Sequence, residues 1–427
     1  MFEHLKNELI KNNTINNKFY EKFDVKRGLR NKDGSGVLAG LSHISSVIGF
    51  HKIEGDMHPV DGDLKYRGYS ISELLPLFSQ KTHIFEQTLF LLLVGRIATT
   101  KECEELCSYI QKNQVLPDPI ISIINSIPSQ NIMNKLQTGI SALYAFDKQP
   151  DSIDPYENFL KSLRIIAKLP SLIVYSYDAA FKNGSHFTLP KNKSLAETFL
   201  QLLHHSTEIS DEDLAIFDLS LMLHAEHGGG NNSTFTTYVV TSSASDIFST
   251  LAAATGSLKG PLHGAANKKV MEMLEDIKKN VRDWSNIEEL SAYLEKIINN
   301  QAHDQSGKIY GLGHAVYTKS DPRALLLLEQ AESLAHSKNR LNELNLYKKI
   351  AEISPALFQK LKQSDKVISP NVDFFSGFVY DCLKIPSELY TCIFAFARSA
   401  GWCSHRIEEL LSGKRIIRPG YKFIAKD

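Results

Sequence analysis

Four short stretches of this 427-residue chain set histidine, aspartate or arginine beside glycines, where a turning backbone lets a ligand come close. The first is HAEHGGGNNSTF, residues 224–235. His224 and His227 are three apart and share a helix face, which is half of a metal site. No cysteine or carboxylate follows at a firm ligand spacing, so a core histidine above a helix-stopping glycine run competes with that reading. The second is GPLHGAAN, residues 260–267, with His263 where a helix begins. A helix N-terminus and an imidazole there would stabilise negative charge developing on a bound carbonyl; a structural turn histidine is the alternative. The third is GLGHAVYTKSDPR, residues 311–323. It is neither GxGxxG nor a Walker A loop, and it joins His314 to Arg323 only if the loop folds back. The fourth is PNVDFF, residues 370–375. Asp373 falls in the first turn of an apolar helix, where burial raises a carboxyl pKa and the helix end lowers it. Such a group is a general base or an ordinary first-turn acid.

Two arginines extend the pattern. Arg398 lies between Phe396 and Trp402, and a buried guanidinium demands an anion or an acid partner. Arg418 precedes Pro419 in a basic tail. With Arg323 they could clamp a small dicarboxylate bidentately.

The framework around these residues reads as helical. Phe85, Thr88, Leu89 and Leu92 recur at helical spacing, and 158–180 is a second helix with a break or kink at Pro170. Leu214, Phe217, Leu221 and Ala225 form one stripe on a helix ending near His227. Another helix starts after Gly264. Asp321-Pro322 and Ser369-Pro370 each read as a cap followed by a first-turn proline. A last long helix runs from near Ser387 towards Leu411. Residues 1–45 hold one helix or less. In 57–68, Pro59 and Asp61-Gly62 read as the turn of a small hairpin. No series of Val/Ile-rich runs alternates with helices, so the fold class is all-α, with at most a small N-terminal β-hairpin.

Lys+Arg and Asp+Glu are 48 each, which gives no basic bias towards nucleic acid. The longest apolar runs, 88–95 and 392–397, fall far short of a membrane span. The five cysteines, at 103, 107, 382, 392 and 403, include no CxxC, which points to a reducing compartment. The start, MFEHLKNELIKNN, carries two acids and no apolar core, so it does not read as a secretory signal. The expectation is a cytoplasmic protein without membrane or nucleic-acid partners.

These same residues carry a resemblance. LKYRGYSISEL (64–74), HAEHGGGNNSTF, LKGPLHGAAN (258–267), GLGHAVY followed by DPR, NVDFFSG (371–377), FARSAGW (396–402) and IIRP (416–419) occur in an order and spacing that resemble the citrate synthase family, which includes 2-methylcitrate synthases. The resemblance spans about Gly36 to Tyr421; residues 1–35 lie outside it. It implies a two-domain helical fold: a large domain over 1–264, a small one over 265–384, and a return to the large domain with a C-terminal arm over 385–427. It implies condensation of acetyl-CoA with oxaloacetate and water to citrate and CoA, through an enol. His263, His314 and Asp373 would be catalytic. His227, Arg323, Arg398 and Arg418 would bind oxaloacetate, Arg418 by reaching the partner's site in a homodimer. Gly311, Leu312, Gly313 and Lys319 would bind CoA. No metal and no tightly bound cofactor is implied, with acetyl-CoA as co-substrate. Two departures stand out: Glu226-His227-Gly228, with a glycine-rich insertion at 228–230, replaces Asp-His-Glu, and Thr318 stands where a basic residue is usual. The rival readings are 2-methylcitrate synthesis from propionyl-CoA, a metalloenzyme on His224 and His227, and a helical binding or scaffold protein with a dead site.

Overall fold

The computed structural model describes residues 2–54, 56–182, 188–363, 367–413 and 415–424. It divides into two units, residues 1–41 and 42–427. The first holds two short α-helices, Lys6–Asn13 and Asn17–Lys22, one more than the sequence reading allowed. Asn16 caps the second by accepting from the Lys18 N–H, a local bond that polar composition alone does not announce.

The second unit is helical apart from one antiparallel sheet. Strand β1 (Ser45–Ile53) pairs with β2 (Asp56–Tyr66), and β2 pairs briefly with β3 (Tyr69–Ser70). The hairpin is therefore longer than expected, and its turn falls between Ile53 and Asp56, not at Asp61-Gly62. The turn residues do something else. Ile48 pairs with Asp63 but Phe50 with Pro59, so Val60, Asp61 and Gly62 bulge opposite the single Gly49. A Cβ on Gly49 would strike the Val316 carbonyl, and one on Gly62 the Ser320 carbonyl. The bulge is a seat for the 316–320 loop. Thr318 Oγ1 donates to the Gly49 carbonyl at 2.8 Å, and the Gly62 N–H donates to Ser320 Oγ at 3.0 Å.

Six helices carry the residues singled out above or adjoin the turns and loops that do: α1 (Asp211–His224), α2 (Asn232–Ser242), α3 (Ala266–Asn280), α4 (Pro322–Ser337), α5 (Val372–Cys382) and α6 (Tyr390–Ser412). Their ends show why local patterns were partly misleading. Helix α1 stops at His224, three residues before the expected end, because the Ala225 carbonyl takes the Gly401 N–H of α6 instead of continuing the helix. Asp321 caps α4 as read. The cap of α5 is Asn371, not Ser369, because the Ser369 carbonyl accepts from Gly313 and Pro370 bridges Leu312. The helix Pro155–Phe181 runs through Pro170 without interruption. Pro170 is buried there, and the helix is held by packing on both sides rather than by one backbone bond.

The core is continuous. Ring contacts run from Phe85 to Phe396 (5.3 Å), Phe396 to Phe199 (6.5 Å), Phe199 to Phe217 (5.1 Å) and Phe217 to Tyr380 (6.3 Å). They tie α1, α5 and α6 to the helices Ile84–Val94 and Leu195–His204. Edge and offset geometries add roughly 0.5–1.5 kcal/mol per pair beyond area burial. Buried Arg406 locks α6 further, donating to Asn158 Oδ1, Thr250 Oγ1 and the Ser245 carbonyl. These contacts pack α1, α5 and α6 against one another, with the polar residues between them. Among the described residues no helix is long and apolar enough to cross a membrane.

Candidate active site

His263 sits in the turn before α3. The Ser233 N–H, at the start of α2, donates to His263 Nε2 at 3.3 Å, and Ser233 Oγ lies 3.0 Å from the same atom. A backbone N–H can only donate, so Nε2 accepts and the proton of the neutral ring sits on Nδ1. Burial, with Arg398 nearby, pushes the His263 pKa down to about 4, so the ring is neutral at pH 7. Trp402 Nε1 donates to Ser233 Oγ at 3.1 Å and fixes this support. Ser233 and Trp402 were inside recognised motifs, yet nothing local marked them as holding His263.

His314 has the opposite tautomer. The N–H groups of Val316 and Tyr317 both donate to its Nδ1, at 3.0 and 3.1 Å, so its proton lies on Nε2. Its ring is 5.0 Å from that of His227 and 4.8 Å from that of Tyr317. His227 is buried, and its Nε2 has no hydrogen-bond partner among the described residues. Burial, then Arg323, His314 and Arg398, hold its pKa well below the ordinary value.

Two guanidinium groups face this cluster. Arg323 is buried and bidentate on Asp321, at 3.0 and 2.8 Å, and lies over the Tyr317 ring. Asp321 also caps α4 through the Arg323 N–H and accepts from the Val372 N–H of α5, so one carboxylate fixes both helix starts and the arginine. Arg398, on α6, is fully buried. Its Nε donates to the His224 carbonyl at 2.9 Å, while Nη1 and Nη2 have no partner among the described residues. Burial and the repulsion of Arg323 lower its pKa to about 10, against support from Glu226, and it stays charged at neutral pH. Two unmatched buried N–H₂ groups are costly, and a carboxylate is the group whose geometry they fit.

Asp373 is the base-type group. It is held in the first turn of α5, where its N–H donates to Asn371 Oδ1 at 3.0 Å. Burial lifts its pKa to about 6, with Arg323 and Arg398 pulling the other way. Asp373, His263 and His224 line one small cavity with Asn267, Tyr380 and Phe394. Neutral donors at His263 and His314, a poorly solvated carboxylate and an anion-seeking arginine can remove a proton from carbon and stabilise the resulting enol.

The remaining expected residues fall elsewhere. Gly311, Leu312 and Gly313 form a loop stitched to 369–371: Gly313 N–H to the Ser369 carbonyl (2.8 Å), Asn371 N–H to the Gly311 carbonyl (2.9 Å) and Asn371 Nδ2 to the Gly313 carbonyl (2.9 Å). That places the loop against the start of α5 and so beside Asp373. Lys319 and Arg418 are exposed. The tail bearing Arg418 is anchored where the Ile417 N–H donates to Ser242 Oγ. His224 and His227 do not act as a pair. His224 Nδ1 donates to the Ser220 carbonyl and its ring meets Phe394, while His227 meets His314 and Tyr317. Among the described residues no group of three or more His, Cys, Asp or Glu could hold a metal.

The family model described as "Citrate synthase, C-terminal domain" matches residues 33–420. The chain belongs to the citrate synthase family. Citrate synthase 2 of Bacillus subtilis is 35% identical to it over 92% of this chain and 95% of its own length. 2-Methylcitrate synthase 1 of Corynebacterium glutamicum is 30% identical over 92% of this chain and 94% of its own. The crystal structure of citrate synthase from Pyrobaculum aerophilum superposes with a TM-score of 0.76 at 27% identity, covering 92% of this chain and 91% of that one. The architecture is accordingly the mostly helical two-domain fold of that family with a small N-terminal antiparallel hairpin, and the chain is an enzyme of citrate synthase type.

Proposed function

We propose that this member of the citrate synthase family condenses acetyl-CoA with oxaloacetate and water to give citrate and CoA, with the residues above in the following roles. Arg398 and Arg323 hold the oxaloacetate carboxylates, and His227 hydrogen-bonds the same end. His314 Nε2–H polarises the ketone. His263 Nδ1–H donates to the thioester oxygen while ionised Asp373 takes a proton from the acetyl methyl group. The enol carbon then adds to the ketone carbon, and the alkoxide forms against His314. Water adds to the thioester of the citryl-CoA so formed, and CoA leaves as its thiol. A thioester methyl is a very weak acid, so the base needs the donor on the oxygen as charge develops. Closure over oxaloacetate before the thioester arrives protects it from hydrolysis.

The observation that carries the reading is Arg398: a charged, fully buried side chain whose two terminal nitrogens are unpartnered and which acts electrostatically on His263, His227 and Asp373. Acetyl and propionyl differ by one methylene, worth about 1–3 kcal/mol, and Tyr380, Tyr390 and Phe394, which line the cavity that also holds Asp373, would meet it. The same proposal divides the chain at 264/265 and 384/385 into a large domain, a small domain and a return. It assigns CoA contacts to Gly311, Leu312, Gly313 and Lys319, and a homodimer in which Arg418 enters the partner's site. The exposure of Arg418 in an anchored tail is compatible with that reach. It reads the enzyme as cytoplasmic, in keeping with five free cysteines. The test is thiol release from acetyl-CoA and from propionyl-CoA, each with and without oxaloacetate. Oxaloacetate-dependent release, faster with acetyl-CoA, is the expected result. Release without oxaloacetate, or none with either thioester, refutes the reading, and faster release from propionyl-CoA makes 2-methylcitrate the product.

A further inference from the structure

Glu226 stands one residue before His227 and is fully buried. Its Oε1 accepts from Ser45 Oγ at 2.8 Å, from the Gly228 N–H at 2.5 Å and from His405 Nε2 at 2.8 Å. One carboxylate therefore ties together the residues on both sides of His227. Burial opposes its charge, but His405, Arg398 and Ser45 together hold its pKa down at about 2. The backbone of Glu226 is held as well: its carbonyl accepts from the Tyr66 hydroxyl at 3.2 Å. There is no slack on the far side. The Gly401 N–H donates to the Ala225 carbonyl, and any Cβ on Gly401 would strike Glu226 Oε2.

The chain of contacts continues away from the site. His405 Nδ1 lies 2.6 Å from the Tyr238 hydroxyl, and that hydroxyl lies 3.1 Å from Glu408 Oε2. Glu408 Oε1 accepts from the His43 N–H at 2.7 Å, which fixes the end of the chain to the segment entering β1. Tyr238 is on α2, whose first turn supports His263 through Ser233, and His405 is two turns beyond Arg398 on α6. Glu226 is also the anion that most supports the charge of Arg398. A shift of this carboxylate would move the His227 turn and change the field at Arg398 together.

We propose that Tyr238, His405 and Glu408 are positioning residues for the oxaloacetate end of the site, acting through Glu226 on the turn that carries His227 and on the field at Arg398. This rests on the condensation reading above. Ordinary core hydrogen bonds would contribute only stability. A positioning role predicts a loss confined to one substrate.

The test compares Tyr238→Phe, His405→Leu and His405→Gln in the full chain. Oxaloacetate binding is read by calorimetry without thioester, and KM for both substrates and kcat by thiol release. His405→Leu is expected to weaken oxaloacetate binding about tenfold or more, the scale of a buried hydrogen bond to a charged group. KM for the thioester should stay within roughly twofold. His405→Gln keeps an amide donor for Glu226 and should recover most of the affinity. Tyr238→Phe, which keeps the ring volume and serves if the leucine variant does not fold, should lose about threefold. Unchanged oxaloacetate binding in Tyr238→Phe and His405→Leu overturns the proposal. So does an equal rise in both KM values with no recovery in His405→Gln. A wild-type enzyme that neither binds oxaloacetate nor releases thiol in its presence would instead overturn the functional reading, and the positioning role with it.

Discussion

Replacing Asp373 by Asn separates catalysis from stability in one side chain. Burial lifts the carboxyl from 3.8 to about 6, so keeping it ionised costs the fold roughly 3 kcal/mol relative to an exposed aspartate. The sign follows from proton binding. Between those two values the folded protein holds a proton that the unfolded chain has released, so stability falls as pH rises through the window and is level above it. Asp373→Asn removes the cost, and at about pH 8 it should be more stable than the wild type by up to roughly 3 kcal/mol. That gain should shrink towards zero as pH falls below about 4. Turnover should drop by roughly 10²–10⁴-fold, the usual loss for a general base. Thermal or urea melts at several pH values read the first effect, and oxaloacetate-dependent thiol release reads the second. Wild-type turnover in the variant would rule out Asp373 as the base, and a stability difference independent of pH would rule out its raised pKa.

The same carboxylate predicts a pH profile: activity should fall below about pH 6 as Asp373 takes a proton, whereas His263, held at about 4, is already neutral there and contributes no limb. A plateau continuing to pH 5 in kcat/KM would contradict this. Arg398→Lys should raise KM for oxaloacetate by about a hundredfold, since a lysine cannot present two parallel donors to a carboxylate; steady-state kinetics with either substrate varied would show it, and a thioester KM that rose equally would count against the assignment. Ser233→Ala removes the hydroxyl beside His263 Nε2 and the acceptor of Trp402 and should lower kcat about tenfold, by loss of one positioning hydrogen bond, with little change in either KM. Gly49→Ala should cost about 1–3 kcal/mol of overpacking and lower activity, because the new methyl meets the Val316 carbonyl in the loop that fixes His314; unchanged melting and turnover would show that this loop is not clamped by the bulge.

Several features were legible along the chain because their partners are close in sequence. Asp321 caps α4 two residues before the arginine it also binds, and Asn371 accepts from Asp373 two residues on. Apolar periodicity found α1, α3, α4, α5 and α6. The expected elements did not include Ile287–Ile298 and Leu341–Lys362, although Leu290, Leu294 and Ile297 in the first and Leu344, Tyr347 and Ile350 in the second stand at helical spacing on a buried face. Where local signals failed, a tertiary contact had outweighed them. Pro170 did not break its helix because packing holds it. Asp61-Gly62 did not make the hairpin turn because a bulge there seats the 316–320 loop. The α1 terminus moved because Gly401 claims a carbonyl.

The helical class, the kinds of residue available for carbon-acid chemistry and the motifs that mark the family can all be read along the chain, because residue type and short spacing set capping, periodicity and donor inventory. The chemistry open to those residues depends on contacts made across the fold. Ser233, 30 positions from His263, sets its tautomer. Arg398 is left with two unmatched terminal nitrogens because the fold buries it without a side-chain acid partner among the described residues. Glu226 and His405, 179 positions apart, meet in a pair that no local pattern encodes. Proton placement and pKa depend on which dipoles and charges surround a group in space, and chain proximity fixes only a few of them.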